Sequence, residues 1–492
     1  MYTLTTIGCP LSVFRSTLRY ARPAVLALGM CLLLLMGCSS GEQAADLSAL
    51  YDRAAQYHGV ERDPIILIPG LIGSKLTHAP SDTTVWGAFT GEFADPQTAR
   101  GARLVGLPME EGTPLRALRD SVRPDGALEE VETRVLGLPV ALDAYIDILR
   151  SLGIGGYRDE SGALGSINYG PDHFTCFQFD YDWRRDNVEN ARRLHRFIQT
   201  KRAYVQREYE ERFGVENYDV EFDIIAHSMG GLVARYYLRY GTAGLPANGN
   251  APDITWAGAD HVDQAVLVAP PNAGSAYSLK YLAEGRDFGK FAPTYPAAVL
   301  GTMPALYQVL PRGRHGALRA ASDTSVVIDS LYAPSFWKRM EWGLADPDQD
   351  RVLRQLLPAV DDPAARRHIA LDHLRKSLTR ARRFTAALDT PTTPPASLDL
   401  MLIAGDAEPT LAQLAVDRTT GELSDLATAP GDGTVLRSSA LMDERVGGRW
   451  APTLRSPIQW SRVSFLFETH VEMTASAAFT DNLLYYLLVH PR

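Results

Sequence analysis

The sequence predicts an α/β fold: a mostly parallel sheet flanked by helices, with a helical cap insertion. Three observations predict it. Apolar runs of strand length, PIILIPG from Pro64, VEFDIIA from Val220 and QAVLVAP from Gln264, alternate with segments of helical spacing. Strands that alternate with helices pair in parallel, because each crossover helix carries the chain back over a sheet face. Finally, the run FDIIAHSMGG breaks at Ser228 between small residues and resumes at once in helical spacing from Met229 to Tyr240. A strand, a tight turn and a helix are thus joined around one serine.

The elements can be justified in chain order. Arg15, Arg19 and Arg22 precede the apolar run AVLALGMCLLLLM, which leads into GCSSG. A positive flank, a short apolar core and a small-residue exit have the form of a secretory signal. The run falls short of the roughly 20 apolar residues that span a bilayer. LMGC resembles a bacterial lipobox, which implies a signal peptide over 1–37, cleavage before Cys38 and acylation of its thiol. Ser39, by the same resemblance, implies the outer membrane of the cell envelope as the destination. A plain secreted chain or an uncleaved anchoring helix is the alternative.

Residues 38–62 read as a polar tether, and 63–492 as the folded domain. LDAYIDILRSLG from Leu142 has helical spacing, and FTCFQFDYDW from Phe174 reads as a strand. A long amphipathic helix from Asn187 stops at Gly214, a residue suited to a helix C-terminus. After VEFDIIA, the helix from Met229 and QAVLVAP, the alternation ends. The stretch of about 275–397 is Arg-rich and helical, carries the aromatics of SLYAPSFWKRMEWGLAD, and closes at TPTTPPAS. Strand patterns resume at LDLMLIAG and RVSFLFE, and FTDNLLYYLLV reads as a last helix. This is one sheet interrupted by an insertion, without internal repeats.

Composition narrows the partners. A formal net charge of -9 without a basic stripe excludes nucleic acid as the main one. Of four cysteines, Cys9 and Cys31 leave with the signal and Cys38 is lipidated, so Cys176 has no partner for an intramolecular disulfide. The fold rests on its core.

The serine carries the chemistry. Small residues around a strand–turn–helix serine form a nucleophile elbow, which lifts the hydroxyl to the sheet edge and to a helix N-terminus. Ala226, Gly230 and Gly231 supply the room here, with Ala226 where the usual pattern has glycine. A serine hydroxyl becomes a good nucleophile only when a histidine takes its proton. At such elbows the partners follow in the order serine, acid, histidine. His470, in FLFETHVEM directly after the last strand pattern, is therefore the base, ahead of His490 beside the C-terminus. His227 adjoins the serine but points away from it at an elbow and reads as structural. Two aspartates compete to orient the imidazole. Asp432 lies in APGDGTV, after a late strand and before the histidine; Asp406 ends LDLMLIAGD. Position favours Asp432. The oxyanion needs backbone N–H donors, for which Met229, after the nucleophile, and Leu71, in the loop after PIILIPG, are the candidates.

Taken together, these motifs resemble the lecithin:cholesterol acyltransferase family of α/β-hydrolases. PIILIPGLIGSKL with Trp86, VRPDG from Val122, YDWR at Tyr181 to Arg184, AHSMGG, MPALYQVLP, GDGTV and the THVEM segment occur in that family's order. The resemblance implies Asp432 as the acid, Leu71 as an oxyanion donor, and Trp86 in a lid-like segment beside the acyl site. The animal plasma enzymes pin that lid with a disulfide, which this chain cannot form.

The expected activity is serine-dependent acyl-ester chemistry on lipids, through an acyl-enzyme that passes its acyl group to water or to an alcohol acceptor. Neither a cofactor nor a metal is expected. The membrane surface is expected as a partner, through the lipid at Cys38. A triacylglycerol lipase or carboxylesterase using the same residues, and a catalytically inactive lipid-binding lipoprotein, are the alternatives. An intact set of Ser228, Asp432 and His470 argues against the last of these.

Overall fold

A computed structural model of the chain describes residues 54–88, 92–128, 130–135, 138–143, 145–162, 172–246, 249, 251–287, 293–446 and 450–488. The expected signal, Cys38, most of the tether and His490 lie outside them. The strands, in chain order, are β1 Ile65–Ile68, β2 Ser74–His78, β3 Thr83–Trp86, β4 Val122–Ala127, β5 Glu130–Val135, β6 Leu138–Asp143, β7 Cys176–Gln178, β8 Phe222–His227, β9 Val262–Val268, β10 Leu318–Ala320, β11 Asp323–Val327, β12 Asp399–Gly405, β13 Glu408–Val416, β14 Leu423–Gly431 and β15 Arg462–Leu466.

Six of them build the central sheet in the order β15-β12-β9-β8-β1-β7, and every pairing is parallel. The fold is therefore α/β with a parallel sheet, as the alternation of patterns requires. Central strands β1 and β8 are buried along their whole length, as expected of strands covered on both faces. The long helix Asn187–Phe213 opens on Asp186, whose carboxylate accepts from Val188 N–H. It ends at Gly214 in the left-handed region, φ 68°, where a side chain would be strained. The elbow helix Met229–Tyr240 is buried at every position.

In four places the structure departs from the sequence reading. The segment from Leu142 is not helical at its start: β6 runs to Asp143 and the helix occupies Ile146–Ile154. FTCFQFDYDW contributes only Cys176–Gln178 as strand. Arg62, placed at the end of a polar tether, is buried, and its guanidinium donates to Gly155 O at 3.0 Å. The insertion is not helical throughout, for β10 and β11 form a second sheet with β13 and β14, in the order β11-β10-β13-β14. These two strands are three and five residues long, and β11 is fully exposed, so no apolar alternation betrays them.

The insertion also shares the main hydrophobic core. Trp337, Phe384 and Leu388 belong to the same cluster as Ile66 and Ile224. Its long helix, Pro363–Asp389, ends against the elbow helix. Buried Arg239 donates to Ala387 O and Leu388 O at 3.1 and 2.8 Å, Arg235 to Leu388 O at 2.9 Å, and the Tyr240 hydroxyl to Ala387 O at 2.8 Å. Guanidinium groups at a helix C-terminus satisfy carbonyls that have no intrahelical donor and match the negative end of the helix dipole. Among the described residues, no helix is long and apolar enough to cross a membrane.

Candidate active site

Ser228 follows β8 at the C-terminal edge of the sheet and caps the elbow helix, with φ 53° and ψ -126°. A non-glycine residue in that region stores about 1–3 kcal/mol of strain, which surrounding packing must hold in place. The packing is visible in the glycines. A methyl on Gly230 would lie 2.4 Å from Pro69 O, and one on Gly231 2.8 Å from Pro270 Cβ. Both therefore have to be glycine where strand and helix backbones meet.

Of the two candidate acids, the structure brings Asp432 to His470. The His470 imidazole Nδ1 is 2.8 Å from Asp432 Oδ2, and His470 N–H donates to Asp432 O at 2.9 Å. The other carboxylate oxygen, Oδ1, accepts from Thr434 and Val435 N–H at 2.9 and 2.6 Å. Asp432 is 1% exposed. Burial alone would raise its pKa, but the adjacent His470 and the backbone donors outweigh it and hold the carboxyl below its ordinary value. Asp406 is engaged elsewhere, its carboxylate paired with Arg437 at 2.7 and 3.0 Å.

The loop after β1 is pinned group by group. Pro69 O accepts from the Tyr181 hydroxyl at 2.8 Å, Ile72 O from the Trp86 indole at 2.7 Å, and Ser74 O from the Trp183 indole at 3.1 Å. Gly70 N–H donates to the Tyr145 hydroxyl at 2.7 Å. The YDWR motif thus supports the loop from below, with Asp182 holding Arg184 and Arg185 in a buried ion-pair cluster. Among the described residues, neither Leu71 N–H nor Met229 N–H donates a hydrogen bond. Met229 opens a helix, where the first N–H groups have no intrahelical acceptor. The Ser228 hydroxyl likewise makes no hydrogen bond among the described residues.

Trp86 is not in a loop. It ends β3, is 3% exposed, and packs edge-on against Trp183 and Tyr295 at centroid distances of 5.6 and 5.9 Å. With Leu71, Ile72 and Leu306 it lines an apolar cavity of about 30 Å³ beside the loop after β1. Its indole N–H is held by Ile72 O, so Trp86 forms a wall of that cavity at the end of β3.

Sequence reasoning missed Tyr145 and read His227 as structural. Tyr145 precedes the helix Ile146–Ile154, and its hydroxyl lies 2.9 Å from His227 Nδ1. His227 Nε2 lies 3.3 Å from His470 O, and the two imidazoles are 4.8 Å apart. Burial, reinforced by His470, pushes the His227 pKa down to about 3, so this imidazole is neutral at ordinary pH. The nearness of His227 to the serine was legible, whereas Tyr145, 82 residues upstream, carries no signal that would pair them. Among the described residues the one group with metal-ligand spacing is Asp63, Asp223 and Asp263, at the opposite edge of the sheet from Ser228.

Comparison with known proteins adds the following. Residues 132–333 match the sequence profile of the family described as lecithin:cholesterol acyltransferase. Comparison with curated protein sequences returns no match. Among solved structures, the chain is similar to one described as the Tle4–Tli4 complex, at 16% identity and a TM-score of 0.47, covering 87% of this chain and 98% of that one. It is also similar to lipase 1 from Pelosinus fermentans, at 12% identity and a TM-score of 0.32, covering 87% and 99%. EstA from Clostridium botulinum has the same identity and score, covering 87% and 86%. The matched segment, 132–333, holds the YDWR motif and the Ser228 elbow and ends before Asp432 and His470.

Proposed function

We propose that the chain cleaves lipid acyl esters through a covalent intermediate on Ser228 and passes the acyl group to water or to an alcohol. The match of residues 132–333 to the lecithin:cholesterol acyltransferase family supports acyl-ester hydrolysis or transfer on lipids as the reaction class. The observation that carries the finer reading is the contact between His470 Nδ1 and Asp432 Oδ2 at 2.8 Å, in a site whose third member, Ser228, stands at a strained elbow.

The chemistry follows from the parts. The Ser228 hydroxyl attacks the ester carbonyl and gives its proton to His470 Nε2. Asp432 holds Nδ1–H, fixes the tautomer and stabilises the imidazolium that forms. The carbonyl oxygen gains charge as the tetrahedral species forms, and the N–H groups of Leu71 and Met229 receive it. Collapse expels the alcohol, protonated by His470, and leaves the acyl group on Ser228. Water or a second alcohol, activated by His470, reverses these steps. Attachment through an acylated Cys38 at the outer membrane would keep the enzyme at its substrate.

Two experiments test this. A fluorophosphonate should label the parent at Ser228 and leave Ser228→Ala unlabelled; labelling of that variant at the parental level would remove the nucleophile assignment. Incubation with phospholipid vesicles, with and without sterol, separates the fates of the acyl group. Free fatty acid alone marks hydrolysis, and sterol ester marks transfer. Neither product, from protein that the probe labels, would overturn the lipid assignment.

A further inference from the structure

Tyr145 and His227 form a chain of hydrogen bonds with only one consistent arrangement of protons. Gly70 N–H can only donate, so the Tyr145 oxygen accepts it at 2.7 Å. The single proton of the Tyr145 hydroxyl then goes to His227 Nδ1, 2.9 Å away. A neutral His227 that accepts at Nδ1 carries its own proton on Nε2, which faces His470 O at 3.3 Å. The chain therefore runs from the oxyanion-side loop, past the residue that precedes Ser228, to the backbone of the proposed base.

The glycines around it are shaped for this chain. A methyl on Gly73 would lie 2.6 Å from the Tyr145 hydroxyl and one on Gly70 3.3 Å from it. The hydroxyl is thus seated where the Pro69–Ser74 loop has no side chain to block it. Its bond to Gly70 occupies that amide, while the next one, Leu71 N–H, has no acceptor among the described residues. Both Tyr145 and His227 are buried, at 6% exposure each, so neither has water to replace a lost partner.

We propose that Tyr145 and His227 are positioning residues for the acyl-transfer reaction, setting the oxyanion-side loop and His470 in register with Ser228. This rests on the reading of Ser228, His470 and Asp432 given above. Neither residue touches substrate. The alternative role, simple packing, would change stability and leave turnover untouched.

The test uses Tyr145→Phe, which removes one oxygen and no volume, His227→Gln, and the double variant, on a soluble short-chain ester. Each single variant should lower kcat by up to about 100-fold, the scale of a 1 Å misplacement of reacting groups, with KM within about twofold of the parent. Because either substitution breaks the same chain, the double variant should lose no more than the worse single one, whereas independent effects would multiply. Folding of each variant is checked by its thermal transition and near-ultraviolet circular dichroism. Should His227→Gln fail to fold, Tyr145→Phe alone decides by its kcat. Parental kcat in Tyr145→Phe, or losses in the two variants that multiply, would overturn the proposal. Ser228→Ala in the same assay keeps the two readings apart. If it retains activity the nucleophile assignment falls, and if it is inactive while Tyr145→Phe is fully active the positioning role alone falls.

Discussion

Asp432 grips His470 at two points, its carboxylate taking the imidazole Nδ1 at 2.8 Å and its carbonyl taking the histidine's own N–H at 2.9 Å. Ring orientation and backbone position are set by the same residue. Asp432→Asn keeps the backbone bond and the shape but presents an amide to Nδ1, which favours the wrong imidazole tautomer. Turnover should fall by about four orders of magnitude. Asp406→Asn, which touches only the Arg437 pair, should leave turnover within a few-fold of the parent. Steady-state rates on one soluble ester decide the ranking, and the opposite order would move the acid to the end of β12.

Gly70 faces Ser228 directly. A methyl there would lie 2.8 Å from Ser228 Cβ and 3.2 Å from His227 O, so Gly70→Ala has to push the loop away from the elbow. The displaced group is the adjacent Leu71 N–H. We expect kcat to drop by about 10²–10³, the scale of losing one oxyanion donor, with KM changed far less. An unchanged kcat would mean that this loop supplies no donor.

Much of this site was legible in the sequence because its parts obey strong local rules. The elbow helix begins at Met229, as read, since a small-residue turn between a buried strand and an amphipathic segment allows little else. The strands β1, β8, β9 and β12 were legible because buried parallel strands are continuous apolar runs, whereas β15, an edge strand buried only at Leu466, was legible by its alternation. Chain position favoured Asp432 over Asp406, and in the structure it is Asp432 that meets His470 Nδ1. Both follow strands, and the coordinates add that the Asp406 carboxylate is taken by Arg437. The strand that Trp86 ends was not legible, because an aromatic beside turn residues does not reveal that β3 pairs with β2 at the edge of a three-stranded sheet. Tyr145 was hidden for a related reason. Its role is a contact across the fold with a loop that has no sequence pattern in common with it.

Glu444 joins the insertion to the segment after Asp432. Its carboxylate takes Arg314 Nη2 and Nε at 2.5 and 2.9 Å and faces His315 Nε2 at 3.1 Å. Burial opposes ionisation there, but the hydrogen bonds from Arg314 and His315 win, and the carboxyl is pulled from 4.5 down to about 2. A depressed carboxyl stabilises the fold fully above its unfolded value, and the contribution is lost as pH falls through the folded one. Glu444→Gln should therefore be less stable than the parent at pH 6, and the gap should narrow from about pH 4.5 and close near pH 2. Urea midpoints measured across this range test the sign; a gap that widens on acidification would contradict it.

Cys38→Ser tests the proposed anchor. The variant should leave the membrane fraction while hydrolysing a soluble short-chain ester at the parental rate, and it should lose activity on bilayer lipid. Acyl chains contribute about 0.8 kcal/mol per buried CH₂, so several chains retain a protein almost permanently and their loss is easily seen. Fractionation followed by assay of both substrates is the measurement. A variant that stays in the membrane fraction as fully as the parent would place the attachment elsewhere.

The sheet that delivers Asp432 is half made of the insertion. Strand β10, in the insertion, pairs with β13, β13 with β14, and Asp432 follows the last residue of β14. The insertion is therefore no detachable module that could be trimmed or exchanged, because its removal strips one neighbour from the ladder that leads into Asp432. It also orders events during folding. Leu318 and Leu414 stand opposite each other in that ladder although nearly a hundred residues separate them, a closure slower than any step inside the helices. Enzymatic competence should be the last property to return on refolding, well after helical ellipticity has recovered.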